Sequence, residues 1–177
     1  MKNWCIIFLT LIIITITAVG FSGAFTNAQT PSTDDYLRIH IRADDNSESA
    51  QSVKFAVRDA VVEYLTPVVA ECGDKKTALK EIEKRLREIS RIAGETLQKE
   101  GYDYGASASL EQEVFPTRVY GEYTLPSGEY TALILRLGRG TGDNWWCVVY
   151  PPLCFTSGVN LEYKSKIVEI IKKWKNS

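Results

Sequence analysis

Histidine is almost missing from this chain: His40 is the only one among 177 residues. There is no His-x-x-x-His and no Cys-x-x-Cys, so neither common zinc-ligand spacing is available locally. Blocks of Lys and Arg are missing too, and the net charge is −1. A nucleic-acid binder needs clustered cations to replace counterions on phosphate, so none is expected as a partner. No internal repeat is visible, which argues against solenoids and propellers. Charge is also absent from the start of the chain, where Lys2 is the only ionised side chain before Asp34.

That last absence defines a compartment. Met1-Lys2-Asn3-Trp4-Cys5 leads into an apolar run from Ile6 to Val19, followed by small residues up to Ala28. A short basic start and an unbroken apolar run form the layout of a secretory signal. Extended to Phe25, the run also approaches the ~20 residues a membrane-crossing helix needs. The expectation is therefore export, with residues 4–25 either cleaved off as a signal or kept as a membrane attachment. Residues 1–28 are assigned to this segment, 29–35 to a polar linker, and 36–177 to a single domain. A length of 177 residues suits one such domain.

Within the domain, Leu37, Ile39 and Ile41 alternate with Arg38, His40 and Arg42, the period of a half-buried strand. Asp44-Asp45-Asn46-Ser47 supplies turn and cap chemistry, with Ser47 or Ser49 as helix cap. Val53, Val57, Val61 and Leu65 then predict a helix from Glu48 to near Leu65, with Pro67 at its frayed end. After Cys72-Gly73-Asp74, the stripe Leu79, Ile82, Leu86, Ile89, Ala93, Leu97 predicts a second helix stopped by Gly101. Strands are expected around Ala106–Leu110, Tyr130–Leu137 and Trp145–Tyr150, and a basic helix over Val159–Trp174. Short turns between consecutive strands favour antiparallel pairing. The expected fold is α+β, an antiparallel sheet of about four to five strands with a helical hairpin and a C-terminal helix on one face.

The chemistry on offer is sparse. Gly138, Gly140 and Gly142 lead into Asn144-Trp145-Trp146, a strand, whereas a phosphate loop must open a helix. They are read as a structural loop, and no cofactor is expected. Glu111/Glu113 and Asp44-Asp45 do not form the carboxyl pair across a cleft that glycoside hydrolysis requires. No nucleophile elbow accompanies His40, and no catalytic residue is assigned. The face formed by Arg38, His40 and Arg42 is instead read as a binding surface for acidic groups. Asn144, Trp145 and Trp146 join it as partner-contact candidates, because Trp anchors interfaces and adjacent rings on a strand project to opposite faces. In an oxidising compartment Cys147 and Cys154 are candidates for a disulfide. Fully extended, they would lie about 23 Å apart, beyond bridging reach; a tight turn at Tyr150-Pro151-Pro152 would bring them opposite each other. An exported wall-binding module or hydrolase using this Trp- and Cys-rich stretch is the alternative reading.

Several blocks together resemble a known family. They are Leu37-Arg38-Ile39-His40-Ile41-Arg42-Ala43 with Asp45-Asn46-Ser47, then Val53-Lys54-Phe55-Ala56-Val57-Arg58-Asp59-Ala60-Val61 and Gly101-Tyr102-Asp103-Tyr104. Phe115-Pro116-Thr117-Arg118-Val119-Tyr120-Gly121 and Pro126-Ser127-Gly128-Glu129-Tyr130-Thr131-Ala132-Leu133 follow. Gly138-Arg139-Gly140 and the stretch from Asn144-Trp145-Trp146-Cys147 to Cys154-Phe155 complete the series. The series is similar to stage II sporulation protein R of endospore-forming bacteria. The resemblance implies a signalling protein, not an enzyme, exported from the forespore into the space between forespore and mother-cell membranes. Its implied partner is a membrane-embedded aspartic protease of the mother cell, which processes the sigma-E precursor.

Overall fold

The structure, a computed structural model, describes residues 32–121, 123–153 and 168–174. The chain divides into units Met1–Thr30 and Pro31–Ser177, and everything described belongs to the second. The apolar run at residues 4–25, Cys154, and the Val159–Ile167 part of the expected C-terminal helix lie outside the described residues.

A 3₁₀ turn at Thr33–Asp35 precedes β1 (Leu37–Arg42). Three helices follow, α1 (Glu48–Ala70), α2 (Lys75–Glu83) and α3 (Leu86–Lys99). The strands β2 (Ala106–Phe115), β3 (Arg118–Tyr120), β4 (Tyr123–Leu125), β5 (Gly128–Leu137) and β6 (Asn144–Tyr150) complete the series, and residues 168–174 are helical. The class is α+β, as the sequence indicates.

The local signals that end helices act as the chemistry requires. Ser47, not Ser49, caps α1, its Oγ accepting the Ala50 N–H at 3.2 Å. Asp74 caps α2 by accepting the Thr77 N–H at 2.7 Å. Gly101 at φ +86° stops α3, with Tyr102 N–H donating to Leu97 O and Gly101 N–H to Gln98 O, both at 3.0 Å. This paired closure needs a left-handed residue, which glycine adopts without a Cβ penalty. Two helix boundaries differ from expectation. Helix α1 runs through Pro67 to Ala70; the carbonyl that Pro67 cannot serve belongs to Glu63, an exposed residue, so the missing bond does not bury an unpaired acceptor. The stripe from Leu79 to Leu97 is interrupted at Lys84–Arg85, and nothing in the structure explains that break.

The four-stranded sheet has the order β2-β5-β1-β6. Pairings β2–β5 and β1–β6 are antiparallel, but β1 and β5 run parallel, Leu37 opposite Thr131 and Arg42 opposite Arg136. The sheet is therefore mixed, where an antiparallel one was expected. Consecutive β5 and β6 are indeed antiparallel to each other, as their short connection demands, but β1 is inserted between them. A short loop fixes direction, not adjacency. The small ladder β3–β4 forms a separate hairpin.

Insertion of β1 creates two cores. On one face Leu37, Ile39 and Ile41 join Leu133, Leu135 and Leu137 under Val57, Val61 and Leu65 of α1 and Ile89 and Leu97 of α3. Each such buried aliphatic contributes about 1.5–3 kcal/mol. That outweighs the few tenths by which each valine lowers helix propensity, so Val-rich α1 stays helical. On the other face Tyr36, Phe115, Leu125, Tyr130, Ile134 and Val148 form a second cluster.

The loop from Gly138 to Asp143 steps over the end of β1 and docks on the β1–α1 connection. Gly142 N–H donates to Ala43 O at 2.9 Å and Asp143 N–H to Asn46 Oδ1 at 2.6 Å. Arg139 binds Asp44 and Asp45. These glycines serve close packing of two loops, in line with their structural reading. A Cβ on Gly142 would overlap the backbone of Asp45, whereas one on Gly94 within α3 meets nothing within 4 Å. Gly142→Ala is expected to lower stability by about 1–3 kcal/mol, and Gly94→Ala to raise it by about 0.5–1 kcal/mol. Thermal unfolding of the two variants checks the opposite signs.

Candidate functional site

The alternation that gives β1 an aliphatic face also directs Arg38, His40 and Arg42 to the opposite face. That face is roofed by the β3–β4 hairpin, so the three polar groups lie at very different depths. Arg38 is 0% exposed and His40 3%; the side chain of Arg42 is 29% exposed.

Arg38 occupies an aromatic cage. Its guanidinium carbon lies 4.3 Å from the Phe115 ring centre, 4.9 Å from Tyr130 and 5.5 Å from Tyr120. Nε donates to Cys147 O at 3.1 Å and Nη2 to Tyr120 Oη at 2.7 Å, while Nη1 has no acceptor among the described residues. Ring quadrupoles and phenol oxygens thus stabilise the cation, and among the described residues no carboxylate pairs with it. Burial pulls its pKa down from the ordinary guanidinium value, though an arginine stays charged in a protein. Because Tyr120 belongs to β3 and Cys147 to β6, Arg38 ties the roofing hairpin to two strands of the sheet.

Beyond the cage, charges form a string. His40 Nδ1 meets Glu113 Oε2 at 2.7 Å, and Nε2 meets Asn144 Oδ1 at 2.7 Å. Glu113 also binds Arg42. On the neighbouring strand Arg136 holds Glu111 through two bonds of 2.8 Å, and Ser109 Oγ donates to the same carboxylate at 2.5 Å. The Arg136 and Ser109 bonds hold the Glu111 pKa down at about 2. Both ring nitrogens of His40 are engaged, so the ring is anchored in place and is not presented to a substrate. The sheet order makes Glu111 of β2 the partner of Arg136 on adjacent β5, and Glu113 the partner of His40 and Arg42 on β1, one strand further across the sheet.

The outer rim of this face is accessible. Asn144 is exposed, and the exposed Arg118 stacks its guanidinium 4.3 Å from the Trp146 ring centre. Val119 beside it is 67% exposed. Trp145 points to the helix side, partly buried against the first core, with Arg58 5.6 Å from its ring and 4.9 Å from Phe55. The structure thus brings Arg42, Asn144 and Trp146 to one rim, buries Arg38 and His40 beneath it, and turns Trp145 away. Arg118 and the cage residues Phe115, Tyr120 and Tyr130 were not singled out from sequence. Their aromatic and basic character was visible, but which ring faces which cation depends on where the hairpin folds back.

Elsewhere, a pocket of about 490 Å³ opens between the first 3₁₀ turn, the α1–α2 connection and the terminal helix, lined by Cys72, Lys75, Tyr150, Ile170 and Trp174 among others. Burial pushes the Cys72 thiol pKa up, and its Sγ donates to Val68 O, which makes it a poor nucleophile. Among the described residues no group of three or more His, Cys, Asp or Glu could hold a metal ion. Pairing of Cys147 with Cys154 lies outside the described residues, because Cys154 does.

A mixed-sheet α+β domain with a caged arginine and an Arg–Trp rim is the class these observations define. The chain belongs to the stage II sporulation protein R family, whose match spans residues 33–160. It is 40% identical over 129 residues to a Bacillus subtilis (strain 168) protein named stage II sporulation protein R, covering 73% of this chain and 58% of that protein. The chain thus spans somewhat over half the length of that relative. No solved structure matches it. The family places the protein in sporulation.

Two variants test this account of the face. Arg38→Ala removes two hydrogen bonds and the filling of the cage, and is expected to cost about 2–4 kcal/mol, measured by denaturant unfolding. For Glu111 the folded pKa is depressed, so its contribution is present above the ordinary value of 4.5 and fades as pH falls towards about 2. Glu111→Gln should therefore flatten the loss of melting temperature across that window, modestly because the group is 39% exposed.

Proposed function

We propose that this protein is an exported signalling protein of sporulation that activates a membrane-embedded aspartic protease by contact, leading to processing of the sigma-E precursor in the mother cell. The observation that carries the reading is the family match over residues 33–160, joined to an apolar N-terminal run with the layout of an export signal. The geometry supports a contact role. The accessible rim combines Arg118, Trp146, Asn144 and Arg42, and Trp and Arg are the residue types that most often dominate binding energy. Their cations favour carboxylate groups on the partner. Arg38 and His40 act from beneath, holding the hairpin and β6 in register so that Arg118 reaches Trp146.

Activation then requires that the rim bind the active arrangement of the protease more tightly than the inactive one, since only differential affinity shifts such an equilibrium. In the oxidising space outside the forespore membrane, Cys147 and Cys154 form a disulfide. Non-reducing peptide mass analysis of the secreted protein reads that bond directly.

Co-expression with the protease and its sigma-factor precursor in non-sporulating cells tests the reading. Precursor shortening is expected with the full chain, and not with residues 2–28 deleted. Arg118→Glu, a charge reversal at an exposed position, should reduce shortening at least tenfold while the melting temperature changes little. Absence of shortening with a folded, exported chain would sink the proposal and turn attention to wall binding through the Trp- and Cys-rich stretch.

A further inference from the structure

The one histidine of the chain lies directly beneath the rim, between two groups that make incompatible demands on a neutral ring. His40 is 3% exposed. Its Nδ1 lies 2.7 Å from Glu113 Oε2, and its Nε2 lies 2.7 Å from Asn144 Oδ1. Both facing atoms are accepting oxygens, whereas a neutral imidazole has one donor and one acceptor nitrogen. With the proton on Nδ1, the bare Nε2 meets the amide oxygen; with it on Nε2, the bare Nδ1 meets the carboxylate. Only the imidazolium satisfies both contacts. The charges around the ring oppose one another. Glu113 on β2 favours the second proton, while Arg42, which shares Glu113, and buried Arg38, bonded to Tyr120, oppose it. From β6, Trp146 brings its ring centre to 5.4 Å, with Arg118 of β3 stacked on that same ring. Across β5, Arg136 is already paired with Glu111.

We propose that His40 and Asn144 form a pH-sensitive switch on the partner-contact rim: loss of the Nε2 proton turns the Asn144 amide over, so that the rim presents a carbonyl oxygen in place of an amide N–H group. The inference rests on the proposed contact role and gives that same surface its regulation. The proton leaves Nε2 for solvent water, and Nδ1 keeps its own because it faces a carboxylate. Nε2 then becomes an acceptor. Rotation of the amide about its Cβ–Cγ bond replaces Oδ1 by Nδ2, which donates to it. Each ring nitrogen keeps a partner in both states, so the change leaves no buried group unpaired. Asn144 is exposed, and the amide atom turned away from the ring is the one a partner meets. With His40 charged, that atom is the Nδ2 donor, which joins Arg118 and Arg42 in offering donors to a partner carboxylate. With His40 neutral it is Oδ1, which repels a carboxylate, and the rim has also lost one positive charge. Binding of an acidic partner is therefore strongest at low pH and weakens as pH rises.

A single histidine makes the test direct, because a histidine label reports one ring. The full chain in detergent, labelled with nitrogen-15 at histidine and asparagine, is followed by NMR from about pH 5 to 8, the range in which an ordinary imidazole changes charge. Both ring nitrogens are expected to carry protons at the acid end, and Nε2 alone to lose its own as pH rises. The side-chain amide signal of Asn144, identified by its loss in Asn144→Ala, should shift in the same transition. Affinity for the detergent-solubilised sporulation protease, measured over the same range, should fall about tenfold for the wild type. Asn144→Ala retains only the loss of charge, and its affinity should fall about threefold or less. A pH dependence of the protease itself would enter both profiles equally, so the difference between them is the readout. A ring that stays in one protonation state throughout, a neutral ring protonated on Nε2, or an Asn144 amide indifferent to the transition overturns the switch. Parallel binding profiles for the two chains overturn it as well, and leave the contact role standing. Absence of wild-type binding at every pH overturns the contact role and its regulation together.

Discussion

Strand β1 lies between β5 and β6, parallel to one and antiparallel to the other, and most other features follow from that insertion. A central strand is covered on both faces, so five of its six residues are buried. Its odd positions complete the aliphatic layer beneath the helices. Its even positions must then bring cationic side chains into a second layer, where they need compensation other than water. The loop that joins β5 to β6 has to cross the end of β1, which is why Gly138 and Gly142 press against Asp44 and Asp45. A change in the order of these strands would dismantle the cage, the charge string and the loop contact together.

The second layer handles its charges by graded exposure. Arg38, at the deepest level, is stabilised by rings, a carbonyl and a phenol. His40 and Arg42 share one carboxylate nearer the surface, and Arg136 with Glu111 forms a pair beside them. Arg118 on the outside needs only the face of Trp146. A buried ion pair adds little net stability unless its hydrogen bonds are complete, so the role of this layer is positional: it fixes the hairpin against the sheet. The rim that a partner would meet inherits its rigidity from the groups below it.

Much of this was legible from local pattern. Period-two alternation in Leu37–Arg42, the caps at Ser47 and Asp74, and the stop at Gly101 are decided within a few residues, because a pleat, a free N–H group or a positive φ is satisfied by near neighbours. The structural role of the glycines at 138–142 was legible for the same reason, as they lead into a strand and not a helix. Pro67 misled, because a helix tolerates the lost bond where the orphaned carbonyl belongs to an exposed residue. The polarity of Arg38 and His40 was visible, but their depth was not.

Taken alone, then, the order of residues determined the α+β class, the alternation of β1, the helix ends, and the family to which the chain belongs. These depend on interactions within a turn or a pleat, or on blocks of residues that stand in sequence. Only the tertiary structure decided that β1 runs parallel to β5, that Phe115, Tyr120 and Tyr130 close around Arg38, and that Arg118 lies over Trp146. Each of those joins residues dozens of positions apart. Which distant strand fills the gap between β5 and β6 is settled by how two apolar faces and one set of charges can be buried at once, and no local pattern carries that information.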